Sequence, residues 1–207
     1  METFSQLMPG YKLNEYLLVL SPNNELRARI NESRKYFNEQ FEPSMPLSGK
    51  PHMALVRFVT WNMNEDKLVQ RFEHLTMGVT PFKIELKDYG SFPTHTIFIN
   101  VTTKLPVQEL IRTLKSTQRM MKAHPDHDPH FIQEPFIPIA RKLLPWQYEK
   151  GWQEFSHLHF HARMIADGML MLKRPLGEKV YQIIKRFEFR NLPVTTRQGE
   201  LLFQGPG

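Results

Sequence analysis

The sequence contains no cysteine among its 207 residues. This absence excludes disulfides, thiolate metal ligands and cysteine nucleophiles, and it fits a reducing cytoplasm. No apolar run approaches the roughly 18 residues that a membrane-spanning helix needs. The first residues, METFSQLMPGYKL, lack the basic-then-apolar order of a signal peptide. We therefore expect a cytoplasmic protein that does not associate with membranes.

Positive charge is in excess and unevenly distributed. The formal net charge is +6 and the isoelectric point is about 9.5. Residues 141–190 contain ten Lys or Arg against five Asp or Glu. Such a surface favours anionic partners, including nucleic acid and phosphorylated small molecules, although many soluble proteins are basic without binding either.

Short apolar runs alternate with helical patterns along the chain, which predicts an α+β fold with mixed or antiparallel sheets. The predicted strands cover 16–20, 52–59, 81–89, 95–102, 162–173 and 179–189. The predicted helices run from an N-cap at Ser21-Pro22 to Phe41, from Asn64 to Met77, from Pro106 over about 16 residues, and from Pro145 through Trp152.

Residues 1–190 are predicted to form one bilobal domain with helices on the outer faces. Its lobes cover roughly 14–105 and 106–190, with an exchange of strands between them left open. Residues 191–207 form a C-terminal tail whose LFQGP resembles a viral 3C-type protease site, so its native origin is an open question.

Two short stretches share a layout and indicate an internal repeat. PHMALVR at 51–57 and PFIPIAR at 135–141 both contain a proline, a ring, alternating aliphatic and small residues, and an arginine. Their rings, His52 and Phe136, are 84 positions apart, and each stretch precedes a predicted helix. We interpret them as equivalent central strands of a duplicated fold.

Simple strand alternation assigns the faces of these two stretches. It places His52, Ala54 and Val56 on one face and Phe136 with Pro138 on the matching face. Both sets are small apart from one ring, as expected of strands that line a cleft. The same alternation places Arg57 and Arg141 on the opposite, core-facing side, where each would close its strand against a helix.

The chain resembles the 2H phosphoesterase superfamily, in particular its bacterial branch of 2′-5′ RNA ligase-like proteins. The resemblance covers about residues 14–190 and rests on the two repeats and on KDYGSFPTHTIFINV, RKLLPWQYEKGW and ADGMLMLKR. It implies a bilobal fold with two His-x-Thr/Ser motifs facing a cleft. It also implies processing of 2′,3′-cyclic phosphates or 2′-5′ linkages without a metal or other cofactor.

The resemblance transfers incompletely to this sequence. His52 occupies the first histidine position, while Ala54, Phe136 and Pro138 replace the first hydroxyl residue, the second histidine and the second hydroxyl residue. In the family chemistry one imidazole removes a proton, the other protonates the leaving oxygen, and the hydroxyls hold phosphate oxygens. The three replacements can do none of this, which predicts a catalytically inactive or strongly impaired relative.

Other residues are candidates for the same cleft. His130 and His95 are possible substitutes for the missing histidine. Phe98 and Phe136 are predicted to form an aromatic floor suited to a nucleobase, with routine core packing as the alternative.

Two histidine-rich segments are weaker metal-site candidates. They are HPDHDPH at 124–130 and HLHFH at 157–161. The first is more simply a surface loop, or a lid over the cleft, and the second a solvated histidine face. No metal and no cofactor are therefore expected.

Three functional hypotheses remain open at this point. The first is an inactive 2H-like domain that binds RNA ends or nucleotide phosphates in its cleft. The second is an active, metal-independent 2′,3′-cyclic phosphodiesterase that uses His52 with a substitute histidine. The third is a protein-interaction module that uses the former cleft, with Phe136 and Pro138 on an apolar patch.

Overall fold

The computed structural model describes residues 11–47, 49–123 and 127–193. This part of the chain has a mixed α+β fold, as the sequence predicts. The strands are β1 (Leu13–Leu20), β2 (Met53–Trp61), β3 (Phe82–Phe92), β4 (Thr96–Val101), β5 (His130–Phe131), β6 (Phe136–Arg141), β7 (His161–Ala166), β8 (Gly168–Pro175) and β9 (Gln182–Glu188). The helices are α1 (Asn24–Phe41), α2 (Glu65–Met77), α3 (Lys104–Lys115), α4 (Gln118–Met121) and α5 (Pro145–Phe155).

The strands form two antiparallel sheets. The five-stranded sheet has the order β5-β2-β1-β8-β9, and the four-stranded sheet has the order β6-β4-β3-β7. Each sheet contains strands from both the 14–105 and the 106–190 segments, so neither sheet corresponds to one continuous half of the chain. The sheets meet where β2 contacts β6.

The stretch 162–173, predicted as one strand, is two strands in different sheets. Asp167 separates β7 in the four-stranded sheet from β8 in the five-stranded sheet. Gly168 begins β8 where an added Cβ atom would lie 2.6 Å from the carbonyl oxygen of Phe187. The chain crosses between the sheets here because only a glycine permits this close approach of the two backbones.

The helices pack against the sheets, as predicted, and complete one hydrophobic core. Helix α1 contacts β6 and α5, and α2 contacts β9. The N-cap of α1 is Asn23, whose side chain accepts a 2.9 Å hydrogen bond from the backbone of Leu26, so the predicted cap at Ser21-Pro22 is wrong. Among the described helices, none is both long and apolar enough to cross a bilayer.

The helix predicted to begin at Pro106 is shorter than expected and starts earlier. Helix α3 begins at Lys104 and ends at Lys115, after which the short helix α4 follows a break at Ser116 and Thr117. Pro106 occupies the first turn, where its missing N–H has no partner to lose. The LFQGP segment at 202–206, whose native origin the sequence leaves open, lies outside the described part of the chain.

Candidate functional site

Strand β2 contains a bulge that simple alternation does not anticipate. Leu18 of β1 lies opposite Val56, whereas the next residue, Val19, lies opposite Ala54. Leu55 is therefore an extra residue in β2, and the register shifts at this point. Leu55 and Val56 are consecutive and both fully buried, as expected where alternation is interrupted.

The bulge turns Arg57 toward the open face of the sheet. Arg57 lies opposite Leu17, and Ala54 lies opposite Val19. Leu17 and Val19 are two positions apart on β1, so they and their partners share one face. The prediction that Arg57 faces the core is thus wrong: it shares the face of Ala54 and is exposed.

Strand β6 has the same irregularity at the equivalent place. Ile97 of β4 lies opposite Ala140, and Phe98 lies opposite Pro138. Ile139 is the extra residue here, and both Ile139 and Ala140 are buried. The internal repeat therefore extends from the sequence pattern to a shared backbone distortion.

The second bulge turns Arg141 to the face that carries Phe136. Arg141 lies opposite Thr96 of β4, and its guanidinium carbon is 5.4 Å from the centre of the Phe136 ring. The prediction of a core-facing Arg141 is therefore also wrong. The bulged residues, Leu55 and Ile139, are 84 positions apart, the same spacing as the two motif rings.

A third arginine, Arg34, connects β6 to the loop that precedes β2. It lies on α1 and is only 4% exposed. Its Nε and Nη2 donate hydrogen bonds of 3.0 and 2.9 Å to the carbonyl oxygen of Pro138, and its Nη1 donates one of 2.7 Å to that of Gly49. Arg34 thus joins β6 to the loop that leads into His52.

The sequence contains a signal for the buried position of Arg34. Helix α1 has five buried residues at spacings of three and four: Leu26, Ile30, Arg34, Phe37 and Phe41. A single arginine in an otherwise apolar stripe indicates a buried charge with specific partners.

His52 is half-buried immediately before β2, and its surroundings keep it neutral. Its Nδ1 lies 2.9 Å from the carbonyl oxygen of Lys50, so Nδ1 carries the proton and Nε2 is a free acceptor. Burial lowers the pKa of His52; the hydrogen bond to Lys50 raises it, and the guanidinium groups of Arg34 and Arg141 lower it further. The imidazole is therefore neutral at pH 7, and its Nε2 can accept a hydrogen bond.

The three arginines are close enough to affect one another. Burial lowers the pKa of Arg34 to about 10, and the charge of Arg141 adds to this effect. Burial also lowers the pKa of Arg141, and the charge of Arg57 acts in the same direction. Within the described residues none of the three forms an ion pair with a carboxylate. Like charges held together in this way produce a positive potential that suits an anion.

An aromatic cluster stands beside Arg141. The ring centres of Phe92, Phe98 and Phe136 lie 4.7 to 5.1 Å apart. Phe98 is buried and Phe136 is half-buried, and His95 stacks on Phe92 with 6.3 Å between ring centres. The rings pack against one another, and Phe136 is the ring partly accessible beside the arginine.

The two candidate substitute histidines occupy different places. His130 belongs to β5, lies opposite Arg57 and is exposed. His95 lies in the turn between β3 and β4, with its Nδ1 2.9 Å from the carbonyl oxygen of Pro93. The structure thus places His130 on the open face beside Arg57, and His95 next to the residue opposite Arg141.

The HLHFH segment places its histidines beside the four-stranded sheet. The Nδ1 of His159 lies 3.2 Å from Asp88 Oδ1, and the hydrogen bond to this imidazole lowers the pKa of Asp88. His161 begins β7 opposite Lys87. Across the described ranges there is no group of three or more His, Asp or Glu side chains arranged to hold a metal ion.

Comparison with known proteins yields one family and a set of distant structures. A sequence profile of the 2′-5′ RNA ligase superfamily matches residues 22–178. No curated protein matches the chain. Crystal structures of Escherichia coli LigT with 3′-AMP (13% identity, TM-score 0.62) and of a Thermus thermophilus protein (15%, 0.58) share the fold. They cover 86% and 85% of this chain and 98% of their own length. A structure named only as a phosphoesterase is similar to the same degree, with 13% identity and a TM-score of 0.62, over 85% of this chain and 98% of its own.

Proposed function

Because the chain belongs to the 2′-5′ RNA ligase superfamily, we propose that it binds the phosphate of a nucleotide or an RNA end in the cleft between its sheets, without efficient catalysis. The observation that carries this proposal is the pair of equivalent bulges, which bring Arg57 and Arg141 to the faces of the two motif positions. A cytoplasmic setting with RNA as the partner is part of the proposal, and the lack of cysteine is consistent with it.

Arginine is the side chain best suited to this role. Its planar guanidinium can donate two parallel hydrogen bonds to a phosphate, and it remains charged at neutral pH. Arg57 lies on β2 of one sheet and Arg141 on β6 of the other, and Arg34 adds a buried charge. His52 contributes a neutral acceptor that can bond a protonated phosphate oxygen or a ribose hydroxyl.

The ring of Phe136 supports nucleotide binding rather than binding of inorganic phosphate alone. It is half-buried, and Arg141 lies over it at 5.4 Å. A base stacked on an aromatic side chain contributes roughly 1–3 kcal/mol. E. coli LigT has been crystallised with 3′-AMP, phosphate, NADP+ and ATP, and this range of ligands favours a nucleotide phosphate for the present cleft.

The proposed loss of catalysis rests on the residues that replace the family motif at three positions. Phe136 cannot transfer a proton, and loss of one general acid or base costs about 10²–10⁴ in rate. Neither Ala54 nor Pro138 has a hydroxyl, and loss of a hydrogen-bond donor that stabilises developing charge costs about 10²–10³. We therefore propose that His52 acts as a ligand-binding side chain and not as half of an acid–base pair.

Calorimetric titration with 3′-AMP tests the binding proposal. We expect binding that weakens as salt rises, and a loss of about tenfold or more in Arg57→Ala and Arg141→Ala because each removes a charge-assisted contact worth about 1.5–3 kcal/mol. Arg190→Ala is the matched control, since this arginine is exposed and pairs with Glu188. Equal affinities of all four proteins, or no binding at low salt, would refute the proposal.

Reversion of the motif tests the account of lost catalysis. Replacing Ala54 by Thr, Phe136 by His and Pro138 by Thr restores the family pattern, and we expect the triple variant to gain hydrolysis of 2′,3′-cyclic AMP. A folded variant that binds 3′-AMP yet remains inactive would contradict the assignment of these positions.

A second candidate function is supported by the position of His130. This exposed imidazole lies opposite Arg57, on the open face of the sheet that carries His52. An active phosphodiesterase could use His52 as base and His130 as acid, with His95 as a further substitute. Hydrolysis of 2′,3′-cyclic AMP by the wild type that disappears in His52→Ala and His130→Ala would favour this function over the first.

A further inference from the structure

A second basic surface lies outside the cleft, on the helices beside β2. Two adjoining cavities of ≈490 and ≈190 Å³ share Arg119 and Lys122; Lys115 lines the first and Lys67 the second. We call these four side chains the basic groove. Neither cavity is lined by a carboxylate of the described residues.

The basic groove is fixed to the strand that carries Arg57. Helix α4 contacts β2, and the indole N–H of Trp61, at the end of β2, donates a 3.2 Å hydrogen bond to the carbonyl oxygen of Ala123. The cations of the groove therefore have a defined position relative to the cleft.

A third cavity lies beside Arg57. It has a volume of ≈240 Å³, and its polar lining includes Arg57 and His130 together with the carboxylates of Glu15 and Asp128. Asp128 in turn forms an ion pair with Lys122 of the basic groove. A line of polar side chains thus runs from the cleft arginine, past His130 and Asp128, to the groove.

We propose that the basic groove binds the backbone phosphates of a single-stranded RNA whose terminal phosphate occupies the cleft. This inference rests on the proposed function, since the cleft defines where the strand begins. A mononucleotide offers one phosphate group, which Arg57 and Arg141 already address. Four further cations from three helices match a ligand with repeated negative charge.

Several features favour RNA over an acidic protein segment. The groove is fixed to β2, the strand of Arg57, and its lining is polar apart from Met120. Lysine and arginine in an open, polar groove bind a flexible backbone without reading sequence. Recognition of a protein would instead call for a central apolar anchor.

Asp128 acts as the internal competitor of the ligand. Its side chain is 67% exposed, and exposed ion pairs of this kind are weak. A phosphate can therefore replace the carboxylate at Lys122 with little loss. This gives the groove an unusual property for testing, because one substitution should strengthen binding.

The experiment compares an RNA octamer with a 3′-phosphate and a nucleoside 3′-monophosphate, by fluorescence anisotropy and calorimetry respectively. In Arg119→Ala/Lys122→Ala we expect octamer affinity to fall about tenfold or more and the slope of log K against log salt to decrease by about 1.4, at roughly 0.7 per lost phosphate contact. Mononucleotide affinity should remain within about twofold of the wild type.

The matched control is Lys150→Ala/Lys179→Ala, which removes the same charge from two exposed lysines elsewhere. Asp128→Asn should raise octamer affinity by about two- to fivefold at low salt, an increase that a damaged fold cannot produce.

The inference is overturned if the groove variant weakens the octamer no more than the control does, or if the octamer binds no more tightly than the mononucleotide. Groove-dependent binding of an octaglutamate as tight as that of the octamer also overturns it, in favour of an acidic peptide surface. If the mononucleotide does not bind at all, the cleft proposal is refuted. Octamer binding that still depends on Arg119 and Lys122 would then support the basic groove by itself.

Discussion

Replacing Arg34 by methionine removes a buried charge and its three hydrogen bonds while nearly preserving the volume of the side chain. Arg34 is 4% exposed and holds the carbonyl groups of Pro138 and Gly49. In the variant these two carbonyl oxygens lose their donor in a part of the protein that water reaches poorly. We expect a marked loss of stability and a shift of β6 relative to the loop before His52.

The magnitude follows from two opposing contributions. Hydrogen bonds from a charged donor stabilise by about 1.5–3 kcal/mol each, so three contribute about 4–9 kcal/mol. Against this stands the cost of keeping the guanidinium charged, since its pKa falls from 12.5 to about 10. At about 1.36 kcal/mol for one pKa unit, this cost is about 3 kcal/mol. The balance predicts a destabilisation of about 3 kcal/mol, or about 6–12 °C in Tm for a chain of this size.

Thermal and denaturant unfolding at pH 7 measure the effect. Arg34→Lys keeps the charge but cannot donate two parallel bonds to one carbonyl, so its stability should be intermediate. Lys35→Met is the matched control, because this neighbour is exposed and its pairing with Glu39 contributes at most about 0.5 kcal/mol. If Arg34→Met unfolds within about 0.5 kcal/mol of the wild type, the bonds only offset the cost of burial, and Arg34 does not stabilise the cleft.

Three further predictions concern the pH dependence and the local packing of the fold. The folded-state pKa of His52 lies below the ordinary value of about 6.5. The free energy of unfolding should therefore decline as pH falls from about 6.5 toward the lower folded-state pKa. His52→Gln should flatten this part of a plot of unfolding free energy against pH. Gly151→Ala should destabilise by about 1–3 kcal/mol in chemical denaturation in spite of the better helix propensity of alanine, since the new Cβ would lie 2.6 Å from Cε2 of Phe37; an increase in stability would show that the ring moves freely. Asn23→Ala should cost about 1 kcal/mol in the same assay by removing the cap on Leu26 N–H, and an unchanged midpoint would mean that water replaces the cap.

The placement of the motif strands could be predicted from the sequence, but the direction of their arginines could not. Proline, ring and aliphatic spacing identified β2 and β6 as equivalent strands. Alternation with period two then placed Arg57 and Arg141 toward the core. One extra residue in each strand, Leu55 and Ile139, reverses that result, and an inserted aliphatic residue in an apolar run leaves no trace in the hydrophobic pattern.

The division of 162–173 between two sheets was unpredictable for a related reason. Both pieces are apolar and strand-like, so the run reads as continuous. Only Asp167 and Gly168 mark the crossing, and their effect depends on the backbone of Phe187, which is distant in sequence. The helices were easier to predict, because their apolar stripes and end signals are local. The predicted ends of α1 and α2 lie within one or two residues of the observed ones, although the N-cap of α1 was assigned to the wrong residue.

In the proposed cleft, phosphate binding and proton transfer depend on different side chains. In the function proposed above, proton transfer uses an imidazole on each side of the phosphorus, so we expect Phe136 in place of one ring to disable it. Electrostatic attraction needs only charge, and each half supplies one arginine through the same bulge. The lowered pKa of His52 fits this division: burial first, and then the charges of Arg34 and Arg141, keep the imidazole neutral and available as an acceptor until an anion arrives. Since a bound dianion would offset the charges of Arg34 and Arg141, it should raise the pKa of His52, so that the ligand-bound protein takes up a proton at slightly acidic pH.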